Sequence, residues 1–194
     1  MVVTDKFLLD IQDYCKTFIL NDAECVNAKK DINTTSNHYE FLFEVVRRLR
    51  PKTIIELGTH WGVSAMFMSK ACQTTKIYTV DNNFCNTPNI GKYLKGLSNV
   101  EFINGDVLDQ ATADRMPDGV DIIFADTEKE KDFLDRQLSL YYPKMKDRGY
   151  MFLDDILSEA HYPQAYKWWT DLDGCNKMDL PHIHVGYEIG VIIK

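Results

Sequence analysis

The sequence predicts an α/β fold in which a parallel sheet lies between two layers of helices. From residue 53 onward, short apolar runs of strand length alternate with segments of helical periodicity. Five of the predicted strands end in a polar or acidic residue, and the first strand runs into a turn with two glycines. Alternation of this kind predicts parallel strands joined by right-handed crossovers.

The amino-terminal region is expected to be a helical extension, residues 1–36, in front of a main domain, residues 37–194. Apolar residues repeat at helical spacing over residues 5–20, which predicts an amphipathic helix that packs on the main domain. These residues are Phe7, Leu8, Ile11, Tyr14, Cys15 and Phe18.

The next segment, residues 21–36, is polar and is expected to be irregular. Asn37 followed by Glu40 indicates the start of a helix. Its apolar face continues to Pro51, which stops it.

The main domain is predicted element by element from the same patterns. Strands are expected at residues 53–57, 76–81, 100–104, 120–125 and 149–153, with a final hairpin near 179–184 and 188–193. Helices are expected at about 62–72, 106–114, 129–145 and 162–172, and the segment after 81 is broken up to 98.

The turn after the first strand has the residue types of a ligand-binding turn. Gly58 allows a sharp bend and a close approach of the backbone to a ligand, Gly62 opens the next helix, and Glu56 offers a carboxylate. Asp81 ends the second strand, where an acid can accept both hydrogen bonds from the vicinal hydroxyls of a ribose. These features predict a nucleoside-containing ligand.

The spacing of the glycines differs from the dinucleotide pattern Gly-x-Gly-x-x-Gly. Positions 60 and 63 are His and Val, and an additional acid precedes the first glycine. A cofactor bound through its pyrophosphate is therefore disfavoured.

The run Glu-Leu-Gly-Thr-His-Trp-Gly-Val-Ser-Ala, residues 56–65, resembles the first motif of the class I S-adenosylmethionine-dependent methyltransferases. It looks most like the catechol and caffeoyl-CoA O-methyltransferase branch and the small domains related to cephalosporin hydroxylase. The resemblance covers residues 36–194. It implies a Rossmann-like three-layer sandwich with a mostly parallel seven-stranded sheet, a reversed last strand and an amino-terminal helix.

The resemblance also implies which residues contact S-adenosylmethionine. They are Glu56, Gly58, Thr59, Gly62, Ser64, Asp81, Gly105, Asp106, Val107 and Asp126. Asp106 has an equally good interpretation as a helix cap. The segment 81–91 is less helical than its counterpart in the family.

Three carboxylates are expected to meet at one edge of the sheet. Asp126 follows one apolar strand, and Asp154 with Asp155 follows the next. Neighbouring strands are about 4.8 Å apart, and oxygen ligands suit Mg²⁺ or another divalent cation. The resemblance implies a metal site at these three positions, with Asp155 in place of the commoner Asn.

Asp126 and Lys129 are the candidate catalytic residues. The resemblance implies that Lys129 removes the proton of the acceptor hydroxyl, which requires its pKa to be depressed beside a cation. The alternative is a solvated lysine in a charged helix start. His60 and His161 are further candidates. Trp61, Trp168 and Trp169 are candidates for the wall of the acceptor pocket, and the alternative for Trp168 and Trp169 is that one belongs to the core and the other to the surface.

Composition narrows the class of protein. The net charge of -7 disfavours nucleic-acid binding, and no apolar run is long enough to span a membrane. The five cysteines have no paired spacing, so a disulfide framework and a zinc site are not indicated. A cytoplasmic protein with a small-molecule acceptor is expected, and a homo-oligomer is compatible with the sequence.

The resulting prediction is a methyltransferase that transfers the methyl group of S-adenosylmethionine to a hydroxyl of a small molecule, assisted by a divalent metal. Two alternatives stay open. One is methyl transfer to nitrogen, and the other is a non-catalytic or hydroxylase-like domain of the same fold.

Overall fold

The structure is a computed structural model that describes residues 5–18, 20–34, 36–82, 89–184 and 187–194. The helices are α1 Lys6–Cys15, α2 Ala23–Asp31, α3 His38–Leu49, α4 Val63–Ala71, α5 Gln110–Asp114, α6 Lys131–Tyr141 and α7 Pro163–Asp171. The strands are β1 Thr53–Leu57, β2 Lys76–Asp81, β3 Val100–Asn104, β4 Val120–Ala125, β5 Met145–Leu153, β6 Asn176–His184 and β7 Tyr187–Ile193. Short 3₁₀ helices span Lys92–Leu94 and Tyr142–Lys144.

The seven strands form one sheet in the order β3-β2-β1-β4-β5-β7-β6. The first five in this order are parallel, and β7 runs antiparallel to both β5 and β6. The predicted three-layer α/β fold with a reversed last strand is therefore confirmed. The strand order reverses direction between β1 and β4, which is where ligands bind in open α/β sheets.

The central strands are apolar on both faces because helices cover both sides of the sheet. On one face, Ile54, Ile122 and Phe152 pack against apolar residues of α1, α3 and α4. On the other face, Ile55 and Ile123 belong to a cluster that includes residues of α5, α6 and α7. Trp168 and Trp169 both lie in this second cluster and are buried, so the expectation that one of them is a surface residue is wrong.

The amino-terminal region contains one more helix than predicted. Residues 21–36 were expected to be irregular, but α2 forms because the Asp22 carboxylate accepts hydrogen bonds from the amides of Glu24 and Cys25, at 3.1 and 3.0 Å. The side chains of Cys25 and Ala28 are buried against α4. A helix that buries only two small side chains gives little periodic signal in the sequence.

The start of α3 also differs in detail from the prediction. Asn37 occupies the N-cap position without a side-chain capping bond, and the Ser36 hydroxyl accepts the His38 amide at 3.3 Å instead. Glu40 does not complete a capping box, because its carboxylate receives the Lys29 ammonium at 2.7 Å. This ion pair joins α2 to α3.

Several other element boundaries differ from the prediction. The helix predicted at 106–114 is reduced to α5, the helix predicted at 129–145 gives way to the 3₁₀ turn that contains Pro143, and β5 begins at Met145 instead of residue 149. Strand β6 likewise begins three residues before the predicted 179.

The loops that follow the parallel strands are tied to one another by backbone hydrogen bonds. The Gly58 amide donates to Val80 O at 2.9 Å, the Asp126 amide to Leu57 O at 2.9 Å, and the Asp154 amide to Ala125 O at 3.0 Å. The ladder thus extends one residue past each strand. Gly58 has φ 93°, and a Cβ on it would lie 2.1 Å from the Asp126 carbonyl oxygen.

Replacement of Gly58 by alanine is expected to destabilise the fold strongly. Gly119→Ala is the matched control, because Gly119 also has positive φ but a Cβ on it would meet no other atom within 4 Å. The backbone conformation alone costs roughly 1–2 kcal/mol, and the clash at Gly58 adds about 1–3 kcal/mol. Urea denaturation measures the free energy of unfolding of both variants. Equal losses of stability would contradict the close approach of the loops after β1 and β4.

Candidate active site

Glu56 is a fully buried carboxylate at the carboxyl end of β1. Its Oε1 has no hydrogen-bond partner, and its relative exposure is 0 %. Burial raises the pKa of Glu56 to about 7, and hydrogen bonding by Ser64 and Thr79 lowers it in part. An acid held in this way is well suited to a ligand that brings a positive charge or hydrogen-bond donors.

A chain of hydroxyl groups connects Glu56 to the glycine turn. The Thr79 hydroxyl donates to Glu56 Oε2, and the Thr59 and Thr79 hydroxyl oxygens are 2.7 Å apart. A hydroxyl has one proton to donate, so Thr59 is the donor to Thr79. Thr79 was not predicted from the sequence, although residues 79 and 81 share one face of β2 by the two-residue period of a strand.

Asp81 holds the turn after β1 in place. Its Oδ2 accepts the backbone amides of Thr59 and His60, at 3.1 and 2.9 Å. His60 has φ 47°, so these two bonds stabilise a left-handed conformation that a non-glycine residue rarely adopts. Asp81 is therefore a structural anchor of the turn, and its contact with a ribose stays a prediction.

Gly62 sits at the N-cap of α4 with φ 81°, and a Cβ on it would lie 2.6 Å from Leu94 Cδ2. The chain from Gly91 to Leu94 thus packs directly against the turn.

The segment predicted to be less helical, 81–91, falls largely outside the described residues, and Cys85 lies there too. Of the described cysteines, Cys15, Cys25, Cys72 and Cys175 are free thiols.

The third strand end contains a capped turn. The Asp106 carboxylate accepts the Leu108 amide at 2.8 Å in a local turn. The alternative that Asp106 is a helix cap is wrong, because Asp109 occupies the N-cap position of α5. A Cβ at Gly105 would lie 2.6 Å from the Thr112 hydroxyl oxygen, so α5 packs closely on this loop. Val107 is buried. Contact of these residues with an adenine ring stays a prediction.

The three acids after β4 and β5 have different environments. The Asp126 side chain is 48 % exposed, whereas Asp154 is buried and Asp155 is half-buried. Asp154 Oδ1 and Asp155 Oδ1 have no hydrogen-bond partner. Burial, with the charge of Asp126 next, raises the pKa of Asp154 well above its usual range, and burial with the charge of Asp154 raises that of Asp155 to about 7.

Lys129 lies beside these acids in the loop before α6. Its ammonium is 3.3 Å from Asp126 Oδ1, and its side chain is only 12 % exposed. Burial lowers the pKa of an amine, but the negative charges of Asp126, Asp154 and Asp155 outweigh it and hold the pKa of Lys129 above its ordinary value. The predicted base role depends on a cation that depresses this pKa, so it stays a prediction. With the three carboxylates alone, the side chain is held in its cationic form.

His38 also reaches this site, although it was not predicted from the sequence. Its ring is buried, with Nδ1 2.7 Å from the Ser36 hydroxyl and 3.8 Å from Asp154 Oδ2. Burial lowers the pKa of His38 to about 4, so the imidazole is neutral. No local pattern marks it, because only the path of the chain from α2 into α3 brings it to the end of β5.

A cavity of about 450 Å³ opens at the ends of β4 and β5. Its described lining residues are Asp126, Thr127, Glu128, Lys129, Glu130, Asp155, His161, Tyr162, Pro163 and Gln164. The size suits a small organic molecule. The His161 ring is oriented by a contact of 2.9 Å between Nδ1 and the Ser158 hydroxyl. None of the three tryptophans is among these lining residues, and Trp61 packs instead beside α4.

The acids are close but do not already form a cation cage. Across the described ranges, no group of three His, Cys, Asp or Glu side chains is arranged to hold a metal ion. Asp126 contacts the Lys129 ammonium instead.

Among the described helices, none has the length and apolar character of a transmembrane span.

Comparison with known proteins agrees with this architecture. A family described as a methyltransferase domain matches residues 55–156, more than half of the 194 residues. The chain belongs to this family of methyltransferase domains, and the resemblance to class I methyltransferases is confirmed.

Solved structures of similar fold cover nearly the whole chain. A methyltransferase from Podospora anserina with bound SAH has a TM-score of 0.74 at 14% identity, over 100% of this chain and 98% of that one. An O-methyltransferase from Bacillus cereus in complex with SAH has a TM-score of 0.69 at 17% identity, over 96% and 97%. A putative caffeoyl-CoA O-methyltransferase from Staphylococcus aureus has a TM-score of 0.68 at 19% identity, over 97% and 98%.

The buried acid makes the stability of the ligand-free protein depend on pH. The pKa of Glu56 is higher in the folded protein than the ordinary 4.5, so the folded state holds more protons than the unfolded chain between pH 4.5 and about 7. The free energy of unfolding should therefore fall as pH rises through this range.

Glu56→Gln should reduce this slope, because a neutral amide does not titrate. Urea denaturation at several pH values measures it, with the exposed Glu101→Gln as a control. If the free energy of unfolding depends on pH in the same way in wild type and Glu56→Gln, the pKa of Glu56 is not raised by burial.

Proposed function

We propose that this protein is an S-adenosylmethionine-dependent methyltransferase that methylates a hydroxyl oxygen of a small molecule. The observation that carries the proposal is the buried Glu56 carboxylate, which has an unpartnered oxygen directly below a glycine turn. The amino-acid end of S-adenosylmethionine carries an ammonium group, which supplies both the charge and the hydrogen-bond donors that this oxygen lacks.

The cofactor is proposed to lie across the ends of β1 and β2. Gly58 and Gly62 bring the backbone close to it, and Asp81 anchors the turn while meeting the ribose. The acceptor cavity opens beside Asp126 at the end of β4, so the acceptor would meet the methyl donor at this edge of the sheet. Ser64 and Thr59, which surround Glu56, complete the cofactor contacts, with the loop at Gly105–Val107 beside the adenine.

Oxygen is favoured over nitrogen as the acceptor by the charge state of Lys129. An ammonium 3.3 Å from Asp126 at the cavity wall stabilises an oxyanion, which a hydroxyl acceptor develops and an amine does not. The similar proteins from Bacillus cereus and Staphylococcus aureus are themselves named as O-methyltransferases. At 17% and 19% identity, the likeness to these two proteins bears only on the fold. The support for oxygen as the acceptor comes from the environment of Lys129.

In the proposed reaction, the acceptor hydroxyl binds between Lys129 and Asp126. Its proton passes to the solvent-accessible Asp126 carboxylate, and the oxygen attacks the methyl carbon in line with the carbon–sulfur bond. The electron pair of that bond remains on sulfur, which leaves S-adenosylhomocysteine. Lys129 stabilises the oxyanion before attack, so the protein acts through orientation and electrostatics.

A divalent cation is a separate part of the proposal. Asp126, Asp154 and Asp155 have the donor chemistry for Mg²⁺, and two of their buried oxygens have no partner. Asp126 would have to exchange its contact with Lys129 for one with the ion. A bound cation would lower the pKa of the acceptor hydroxyl.

The rival functions are separated by the products. Release of S-adenosylhomocysteine with hydroxylated acceptors supports O-methyl transfer, and release only with amines supports N-methyl transfer. Tight cofactor binding without turnover over a broad panel would indicate a non-catalytic domain.

Asp81→Ala is expected to weaken S-adenosylhomocysteine binding by about 1.5–3 kcal/mol, because it removes hydrogen bonds to a charged group. Isothermal titration calorimetry measures the change. Asp118→Ala, at an exposed carboxylate paired with Lys144, is the control for loss of one charge. Unchanged affinity in Asp81→Ala would refute the placement of the cofactor.

Removal of divalent cations tests the proposed metal. Turnover should be lost with excess chelator and recovered with Mg²⁺ or Mn²⁺, whereas cofactor binding should persist because its contacts lie on β1 and β2. Asp126→Asn should likewise reduce kcat more than cofactor affinity. Full turnover in excess chelator would contradict the proposed metal site, and Lys129 would then be the group that stabilises the oxyanion.

A further inference from the structure

Glu56 has one polar and one apolar neighbour across the sheet. Strand β1 lies between β2 and β4, and the residues directly opposite Glu56 are Thr79 on β2 and Phe124 on β4. Phe124 is buried in the apolar cluster on this side of the sheet, so it offers no hydrogen bond to the carboxylate. Across the sheet, the hydroxyl of Thr79 is therefore the group that orders this acid.

The proton of the Thr79 hydroxyl has a fixed direction. The hydroxyl donates to Glu56 Oε2 and lies 2.7 Å from the Thr59 hydroxyl oxygen, so Thr59 donates to it. Thr79 and Thr59 are both buried, with relative exposures of 0 and 1 %. The backbone amide of Thr59 donates to Asp81 Oδ2 at 3.1 Å, which holds this residue in place. The two hydroxyls thus form a relay in which both protons point toward Glu56.

The relay engages one oxygen of Glu56 and leaves the other. Oε2 accepts the hydrogen bond from Thr79, whereas Oε1 has no hydrogen-bond partner. The bond to a hydroxyl on the neighbouring strand restrains rotation of the carboxylate. A hydrogen bond to the charged form also stabilises the anion, against the burial that raises the pKa of Glu56 to about 7. Thr79 therefore acts on both the orientation and the charge of this group.

We propose that Thr79 is a positioning residue of the cofactor site and determines its selectivity for a ligand with an ammonium group. Through the Thr79 hydroxyl, Glu56 keeps its charge and presents Oε1 to the ammonium at the amino-acid end of S-adenosylmethionine. Thr79 acts through Glu56, without contact of its own with the cofactor. The inference rests on the proposed function, because it assigns a further residue to the same site.

Two ligands that differ by a single group test the proposal. S-adenosylhomocysteine carries the ammonium, and its desamino analogue keeps the carboxylate, the thioether and the nucleoside but lacks the ammonium. Isothermal titration calorimetry measures the affinity of each variant for both ligands, so the result does not depend on turnover. The readout is the ratio of the two affinities, because a general loss of structure lowers both.

Thr79→Val replaces the hydroxyl by a methyl group of similar size. The affinity for S-adenosylhomocysteine should fall roughly tenfold, because a hydrogen bond to a charged group is lost. The affinity for the desamino analogue should change by less than about twofold. Thr79→Ser keeps the hydroxyl and should restore most of the ratio, and Thr79→Ala is a second variant without a hydroxyl. Hydrogen bonding of Glu56 by Ser64 remains in all three variants.

Thr75→Val is the matched control. Thr75 is also fully buried, and its hydroxyl donates to the Pro51 carbonyl oxygen at 2.7 Å. It directly precedes β2, at the end of the strand opposite the glycine turn. This substitution should lower stability without changing the ratio of affinities. In Glu56→Gln, addition of Thr79→Val should leave the ratio unchanged, because Thr79 acts through the carboxylate.

Proton release gives a second readout that a merely structural role would not move. Loss of the Thr79 hydroxyl should raise the pKa of Glu56 further, since burial and the charges of Asp126 and Asp81 then meet less opposition. About one pH unit above the wild-type pKa, S-adenosylhomocysteine should therefore release more protons on binding to Thr79→Val than to the wild type. Calorimetry in buffers of different ionisation enthalpy measures the difference.

The outcomes separate this inference from the proposed function. An unchanged ratio in Thr79→Val and Thr79→Ala, an equal fall for both ligands, a loss in Thr79→Ser as large as in Thr79→Val, or equal proton release overturns the positioning role. Failure of S-adenosylhomocysteine to bind to the wild type overturns the proposed function instead. A reduced ratio that is restored in Thr79→Ser and absent from Thr75→Val supports the inference.

Discussion

The site depends on one energetically unfavourable feature, the burial of the Glu56 carboxylate at the end of the central strand. A buried acid with an unpartnered oxygen costs free energy, and here it raises the pKa to about 7. The surrounding hydroxyls of Thr79 and Ser64 relieve this cost only in part. In the proposed function, this carboxylate receives the ammonium group of the cofactor, and its burial lowers the stability of the ligand-free protein.

The backbone around this acid permits little adjustment. Gly58 lies so close to the Asp126 carbonyl oxygen that the loops after β1 and β4 can approach each other only if residue 58 has no side chain. This contact places the glycine turn after β1 directly beside the loop that carries Asp126 and Lys129. The proposed sites for methyl donor and acceptor would therefore be neighbours at the point where the open sheet changes direction.

Most of the fold could be predicted from the sequence because the strands are apolar runs and the helices are amphipathic. The glycine turn and the acids at the strand ends could be predicted because each directly follows an apolar run of strand length in the sequence. Helix α2 was missed because its stability comes from a cap and from ion pairs such as Lys29–Glu40, which join residues distant in sequence. His38 was missed because only the folded chain brings its ring to the end of β5, 3.8 Å from Asp154 Oδ2. The burial of Lys129 beside three carboxylates likewise depends on strands that are distant in sequence.

The most direct measurement of the central claim is proton release on cofactor binding. Near pH 6.5, an α-amino group with a pKa of about 7.7–8.0 is already charged, while Glu56 is mostly protonated. Calorimetry in buffers of different ionisation enthalpy should show release of more than about half a proton when S-adenosylmethionine binds to the wild type. Glu56→Gln should release less and bind more weakly. Equal proton release and equal affinity in the two proteins would contradict the account.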